Sequence, residues 1–149
     1  MVPVLLVLVM TAAPVVRAQR EKLPEADLEF VEKNWPDARK TSTGIRYVIQ
    51  QEGTGEPARP GDFVYVIYAA RLLDGTLFEQ VTERQHPFSF RVGRDLVIAG
   101  WDQTMLQMKV GERRLVIIPP ELGYGARGAG GVIPPNATLV FEVELLGTK

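Results

Sequence analysis

The spacing of apolar residues predicts an α+β fold class, a mostly antiparallel sheet with one short helix in the main domain. Segments 45–51, 63–71, 88–92, 113–118 and 138–146 have strand-like apolar character, and Gly- and Pro-rich turns separate them. Helical spacing in this region is confined to residues 95–108, where Val97, Trp101, Met105 and Met108 stand at i, i+4, i+8 and i+11. Asp74-Gly75 between Leu72-Leu73 and Leu77-Phe78 marks a hairpin.

The elements follow in order. Leu28, Val31 and Trp35, with Phe30 beside them, give residues 26–35 helical spacing, and Pro36 stops that helix. It reads as a surface helix or as a partner helix. Thr41-Ser42-Thr43-Gly44 is a turn, and residues 53–61 are a Gly/Pro loop. In 63–71, Val64, Val66 and Tyr68 face the core, which sends Phe63, Tyr65 and Ile67 to the opposite face. Apolar character on both faces asks for a second cover, assigned here to the 26–35 helix. Residues 80–87 are polar and predict a loop. Asp95 is placed to cap the helix at 95–108, while Gly100 weakens its first turn and moves the regular part towards residue 100. Pro119-Pro120 end the strand at 113–118, residues 121–136 form a long Gly-rich loop, and 138–146 alternates in and out.

Composition narrows the chemistry. The 149 residues allow one compact domain, 46% hydrophobic and 23% charged, with a net charge of −1 that gives no steering towards nucleic acid. There is no cysteine, so disulfides, thiolate nucleophiles and zinc fingers are excluded. His86 is the only histidine, and neither Ser42 nor Ser89 lies in a nucleophile elbow. Residues 2–16 are apolar apart from Thr11 and are interrupted by Pro3 and Pro14. With Val16-Arg17-Ala18 they fit an export signal cleaved after Ala18, although no Lys or Arg precedes the run. An uncleaved anchor or a buried segment also fits. The organisation is then a signal at 1–18, an extension with a short helix at 19–43, and a domain at 44–149.

Gly123-Tyr124-Gly125-Ala126-Arg127-Gly128 matches a dinucleotide fingerprint in letters only, because the prolines around it leave no strand before and no helix after. Asn136-Ala137-Thr138 is a glycosylation sequon wedged between Pro135 and a strand. His86, before Pro87 in a polar loop, reads as a solvated side chain. What remains is aromatic. Tyr68, Phe78, Phe88, Phe90, Trp101, Tyr124 and Phe141 sit where elements end or meet loops. With Val97-Ile98 and Val132-Ile133 they form either ordinary core or a dry pocket with a few polar groups: the Tyr68 and Tyr124 hydroxyls, Glu79 and backbone N–H groups.

These residues carry a resemblance. Leu73-Asp74-Gly75-Thr76-Leu77-Phe78, Pro87-Phe88-Ser89-Phe90, Val97-Ile98-Ala99-Gly100-Trp101, Met108-Lys109-Val110-Gly111-Glu112-Arg113, Leu122-Gly123-Tyr124-Gly125 and the run Ile133 through Phe141 occur in order. The chain resembles an FKBP-type peptidyl-prolyl cis–trans isomerase over residues 44–146. The resemblance implies an antiparallel twisted sheet wrapped around one short helix. It implies a catalytic set of Tyr68, Glu79, Trp101 and Tyr124, and substrate contacts from Phe78, Phe88, Phe90, Val97, Ile98, Ile133 and Phe141. In it Trp101 is the floor under proline, while the Tyr124 hydroxyl and the Ile98 N–H meet substrate carbonyls. Ala129 stands where the family varies and tunes substrate preference. No cofactor or metal is implied. The partners are proline-containing polypeptides, with macrolides such as FK506 as inhibitors.

Glu79 departs from the family, which has Asp there, and its extra methylene predicts a lost or rearranged bond to Tyr68. That departure keeps open a binding module or chaperone of the same fold, and a small-ligand carrier is a third reading. Residues 30–47 resemble the segment before the domain in exported bacterial members of the macrophage infectivity potentiator type, which dimerise through a long arm. The shorter arm here predicts a monomer, in the periplasm or secreted.

Overall fold

The structure, a computed structural model, describes residues 21–149. The predicted export signal and its cleavage point lie outside the described residues. The strands are β1 (Arg39–Lys40), β2 (Arg46–Gln51), β3 (Phe63–Leu72), β4 (Leu77–Val81), β5 (Phe88–Arg91), β6 (Arg113–Ile118) and β7 (Leu139–Thr148). They form one antiparallel sheet in the order β1-β2-β6-β7-β3-β4, with β5 beside β3. β3 pairs with β7 along one edge and divides its other edge between β5, at residues 63–66, and β4, at residues 68–71. The helices are α1 (Glu25–Asn34) and α2 (Ala99–Met105).

Val64, Val66, Tyr68 and Ala70 alternate inward from β3, as a period of two requires. With Phe141, Val143 and Leu145 of β7 and Val116 and Ile118 of β6 they surround Trp101 and Met105 of α2. The helix lies hard against β6 because residue 100 has no side chain. A Cβ there would stand 2.7 Å from Ile118 Cγ2, and Ile118 is fully buried.

Several expectations need correction. Asp95 does not cap α2; the helix begins at Ala99, and Asp95 holds a left-handed backbone at φ 55°. The bonding runs the other way, since Asp102 of α2 accepts the Gly93 N–H at 2.8 Å and the Asp95 N–H at 3.0 Å. β4 continues to Val81 where polar residues predicted a loop. Gln80 is exposed, and an edge strand needs backbone pairing rather than apolar side chains.

The cover over the second face is also placed differently. Leu23, Leu28, Val31 and Trp35 pack on Leu115, Ile117 and Val140, not on the outward residues of β3. Phe63 stays exposed with the Arg91 guanidinium 5.0 Å from its ring centroid, and Tyr65 and Ile67 are half-buried. The second apolar face belongs to β6, whose unbroken run Leu115-Val116-Ile117-Ile118 suits a strand buried on both sides. Glu21 secures the start of the described chain by accepting the Leu23 N–H at 3.0 Å, Arg46 Nη2 at 2.7 Å and Lys40 Nζ at 3.3 Å. Burial pushes its carboxyl up, but these donors outweigh burial and hold it at about 2.

Among the described residues, one ion pair has both side chains buried. Arg114 Nε meets Glu112 Oε2 at 2.7 Å, both chains are buried, and the guanidinium sits 4.3 Å from the Tyr47 ring centroid. Removing one partner strands a buried charge, whereas removing both does not. Glu112→Ala should therefore destabilise the protein by about 3–5 kcal/mol, and Glu112→Leu with Arg114→Met by much less, read by urea unfolding. Equal losses in the two variants would count against this account.

Candidate active site

A cleft of about 160 Å³ opens beside α2, close to the size of an apolar cavity that takes one benzene ring. Trp101 is its floor and is 5% exposed. Aromatic edges wall it. Ring centroids of Tyr68, Phe141 and Phe88 lie 4.7, 5.3 and 6.0 Å from Trp101, at interplanar angles of 86°, 75° and 71°. Phe78 meets Phe141 edge-on at 6.3 Å. Edge-to-face contacts of this kind are favoured by the ring quadrupoles and fix each ring's tilt.

Each wall has a local cause. In β4 the register passes from Ala70↔Glu79 to Arg71↔Leu77, which leaves Phe78 unpaired as a bulge. A bulge breaks strict alternation, so the neighbours Phe78 and Glu79 both line the cleft. Val97 and Ile98 arrive on the segment that Asp102 holds through Gly93 and Asp95. Tyr124 comes from the Gly-rich loop, between the 3₁₀ turns Pro120–Leu122 and Gly125–Arg127.

Of the residues singled out in the sequence, Tyr68, Phe78, Glu79, Phe88, Val97, Ile98, Trp101, Tyr124 and Phe141 line the cleft. Phe90 and Ile133 do not. Phe90 is buried behind the wall, tilted against Phe88 at 5.6 Å and Trp101 at 5.8 Å. Ile133 is buried and exchanges backbone hydrogen bonds with the half-buried Ala129 at 2.9 and 3.0 Å. Leu96 lines the rim, 65% exposed, and sequence reasoning missed it. Its only signal was an apolar side chain out of step with the helical period.

The bond to Glu79 is made, contrary to expectation. Tyr68 Oη donates to Glu79 Oε1 at 2.5 Å, the longer side chain being accommodated on the bulged strand. Burial pushes the Tyr68 phenol far above its usual range, and the bond and charge of Glu79 add to that. Burial raises the Tyr124 phenol as well, helped by Glu79. Among the described residues, neither the Tyr124 hydroxyl nor the Ile98 N–H has a hydrogen-bond partner. The cleft thus offers two free neutral donors over an apolar floor. No group of three His, Asp or Glu side chains among the described residues is placed to hold a metal ion.

This geometry agrees with the comparisons. The sequence pattern of FKBP-type peptidyl-prolyl cis–trans isomerases matches residues 54–146. FK506-binding protein 1 of Dictyostelium discoideum is 51% identical over 106 residues, covering 71% of this chain and 99% of that protein. The FK506-binding protein of Neisseria meningitidis is 51% identical over 96 residues, covering 64% and 88%. The crystal structure of FkpA from Escherichia coli superposes with a TM-score of 0.75 at 41% identity, covering 83% of this chain and 58% of that one. The chain belongs to the FKBP-type peptidyl-prolyl cis–trans isomerases. FKBP enzymes need no charged acid or base, because Xaa-Pro rotation makes and breaks no covalent bond.

Because both phenols are raised above the ordinary value of 10.0, they stay neutral donors at alkaline pH. We expect kcat/KM on a Leu-Pro peptide to be flat from about pH 7 to about pH 10. A descending limb within that interval would show that one of the phenols ionises without the influence of Glu79 and burial.

Proposed function

We propose that the cleft accelerates Xaa-Pro rotation in extended or unfolded polypeptides with an apolar residue before proline. The observation that carries this is the Trp101 floor enclosed by the edges of Tyr68, Phe88 and Phe141. A proline ring fits such a floor, and its nitrogen has no N–H to lose on leaving water. Rotation is opposed by amide resonance, a barrier of roughly 18–20 kcal/mol, and takes tens to hundreds of seconds unaided. The planar amide is the more polar form. A dry wall therefore favours the twisted amide relative to the planar one, and a cleft complementary to the twisted shape lowers the barrier. Donation from the Ile98 N–H and the Tyr124 hydroxyl to flanking carbonyls holds the chain while the bond turns. Phe88 and Leu96 at the rim meet the apolar residue before proline.

Glu79 acts through Tyr68, whose hydroxyl it fixes. A binding module without turnover is favoured only where that carboxylate misses Tyr68, so the 2.5 Å bond supports the enzyme. The apolar run at residues 2–16, followed by Val16-Arg17-Ala18, supports export, where unfolded chains are the substrates.

The test is cis-to-trans relaxation of a Leu-Pro or Phe-Pro peptide with the purified chain, with and without FK506. Acceleration abolished by FK506 is expected. FK506 binding without acceleration would make the protein a binding module. Absence of both would reduce the cleft to packing.

A further inference from the structure

The loop that carries Tyr124 is held at both ends by the amino-terminal extension. At its front, Lys22 Nζ pairs with Glu121 Oε1 at 3.0 Å. At its rear, Thr138 Oγ1 donates to Asp27 Oδ2 at 2.6 Å. Thr138 is 2% exposed and stands just before β7, while Asp27 is half-buried in the first turn of α1. α1 itself is fixed to the sheet through Val31 on Leu115, Ile117 and Val140.

Between those ends the loop is permissive. Gly125, Gly128, Gly130 and Gly131 all have positive φ, and Asn136 is left-handed at φ 57°. What orders it is a short ladder. The Asn136 N–H donates to the Gly125 carbonyl at 2.9 Å, and the Gly128 N–H to the Tyr124 carbonyl at 3.2 Å. Position therefore passes from Asp27 to Thr138, to Asn136 two residues earlier, and across to Gly125 beside Tyr124. The two tethers are unequal. Glu121 is largely exposed, so the Lys22 pair is screened by water. The Asp27 bond is short, partly buried and charge-assisted.

We propose that Asp27 is a positioning residue for the isomerase site, acting through Thr138 on the Gly-rich loop to set where the Tyr124 hydroxyl stands. Asp27 precedes the region matched by the family pattern, so this control belongs to the extension and not to the shared domain. The catalytic consequence rests on the proposed role of Tyr124 as a donor to substrate.

The test uses the full chain with Asp27→Ala, Asp27→Asn, Thr138→Val and Lys22→Ala. Amide hydrogen exchange gives the first readout and does not depend on turnover. Asp27→Ala and Thr138→Val should each speed exchange at Gly128 and Asn136 at least about tenfold and leave β3 amides unchanged, since the opened loop is a local event. Asp27→Asn keeps an acceptor oxygen and should restore most of the protection, and Lys22→Ala should leave it unchanged. Unchanged exchange in Asp27→Ala, or faster exchange throughout the sheet, overturns the proposal whether or not the chain turns over peptide. Kinetics gives the second readout. Asp27→Ala should raise KM about three- to tenfold with kcat nearly constant, and should have no further effect in a Tyr124→Phe background. Losses that multiply in that background overturn the coupling to Tyr124. A wild-type chain without activity would sink the proposed function instead, and the exchange result would still decide the tether.

Discussion

A side chain at position 100 would drive into Ile118, which is enclosed on all sides and cannot retreat. The missing Cβ sets how deeply α2 lies in the curve of the sheet, and three successive residues of the helix use that depth. Gly100 faces β6. Trp101 becomes the floor of the cleft. Asp102 turns towards the incoming loop and binds the Gly93 and Asp95 N–H groups. About 100° of rotation per residue in a helix directs the three to different neighbours. Lifting the helix would therefore disturb core, floor and rim together.

Most of this was legible as pattern. Alternation in β3 separated Val64, Val66 and Tyr68 from Phe63, Tyr65 and Ile67, because a pleat sends neighbours to opposite faces whatever surrounds it. Nine of the residues that the family resemblance names line the cleft, since its motifs supply most of that lining. What escaped was set by partners distant in sequence. The bulge at Phe78 is a register event between strands and has no mark within 77–81. It is also what brings Glu79 within reach of Tyr68. Phe90 and Ile133 carry the same chemistry as the lining but face other neighbours, Phe90 the rings of Phe88 and Trp101 and Ile133 the backbone of Ala129, and such contacts are not written in residue type. The position of α1 was misread because β3 looked like the strand in need of cover, whereas the unbroken apolar run lay in β6.

Charge is arranged to suit a dry site. None of the partners in the ion pairs Arg84–Glu144, Arg46–Glu21 and Arg114–Glu112 lines the cleft, where Glu79 is the only charged lining residue among the described residues. That one carboxylate, on an exposed residue of β4, accepts a hydrogen bond from the Tyr68 phenol. Neutral donors orient a carbonyl without adding a full charge to an apolar cavity, where an unpaired charge is costly.

β7 is the last strand of the domain in chain order, yet it sits between β6 and β3. Among the described residues, no strand of one half pairs with a strand of the other except through it. Without β7, strands β1, β2 and β6 pair among themselves and β3 pairs with β4 and β5, so α2 would face two separate pieces of sheet. Joining the two pieces into one sheet therefore depends on residues 139–148, the last strand to leave any channel the chain is made through.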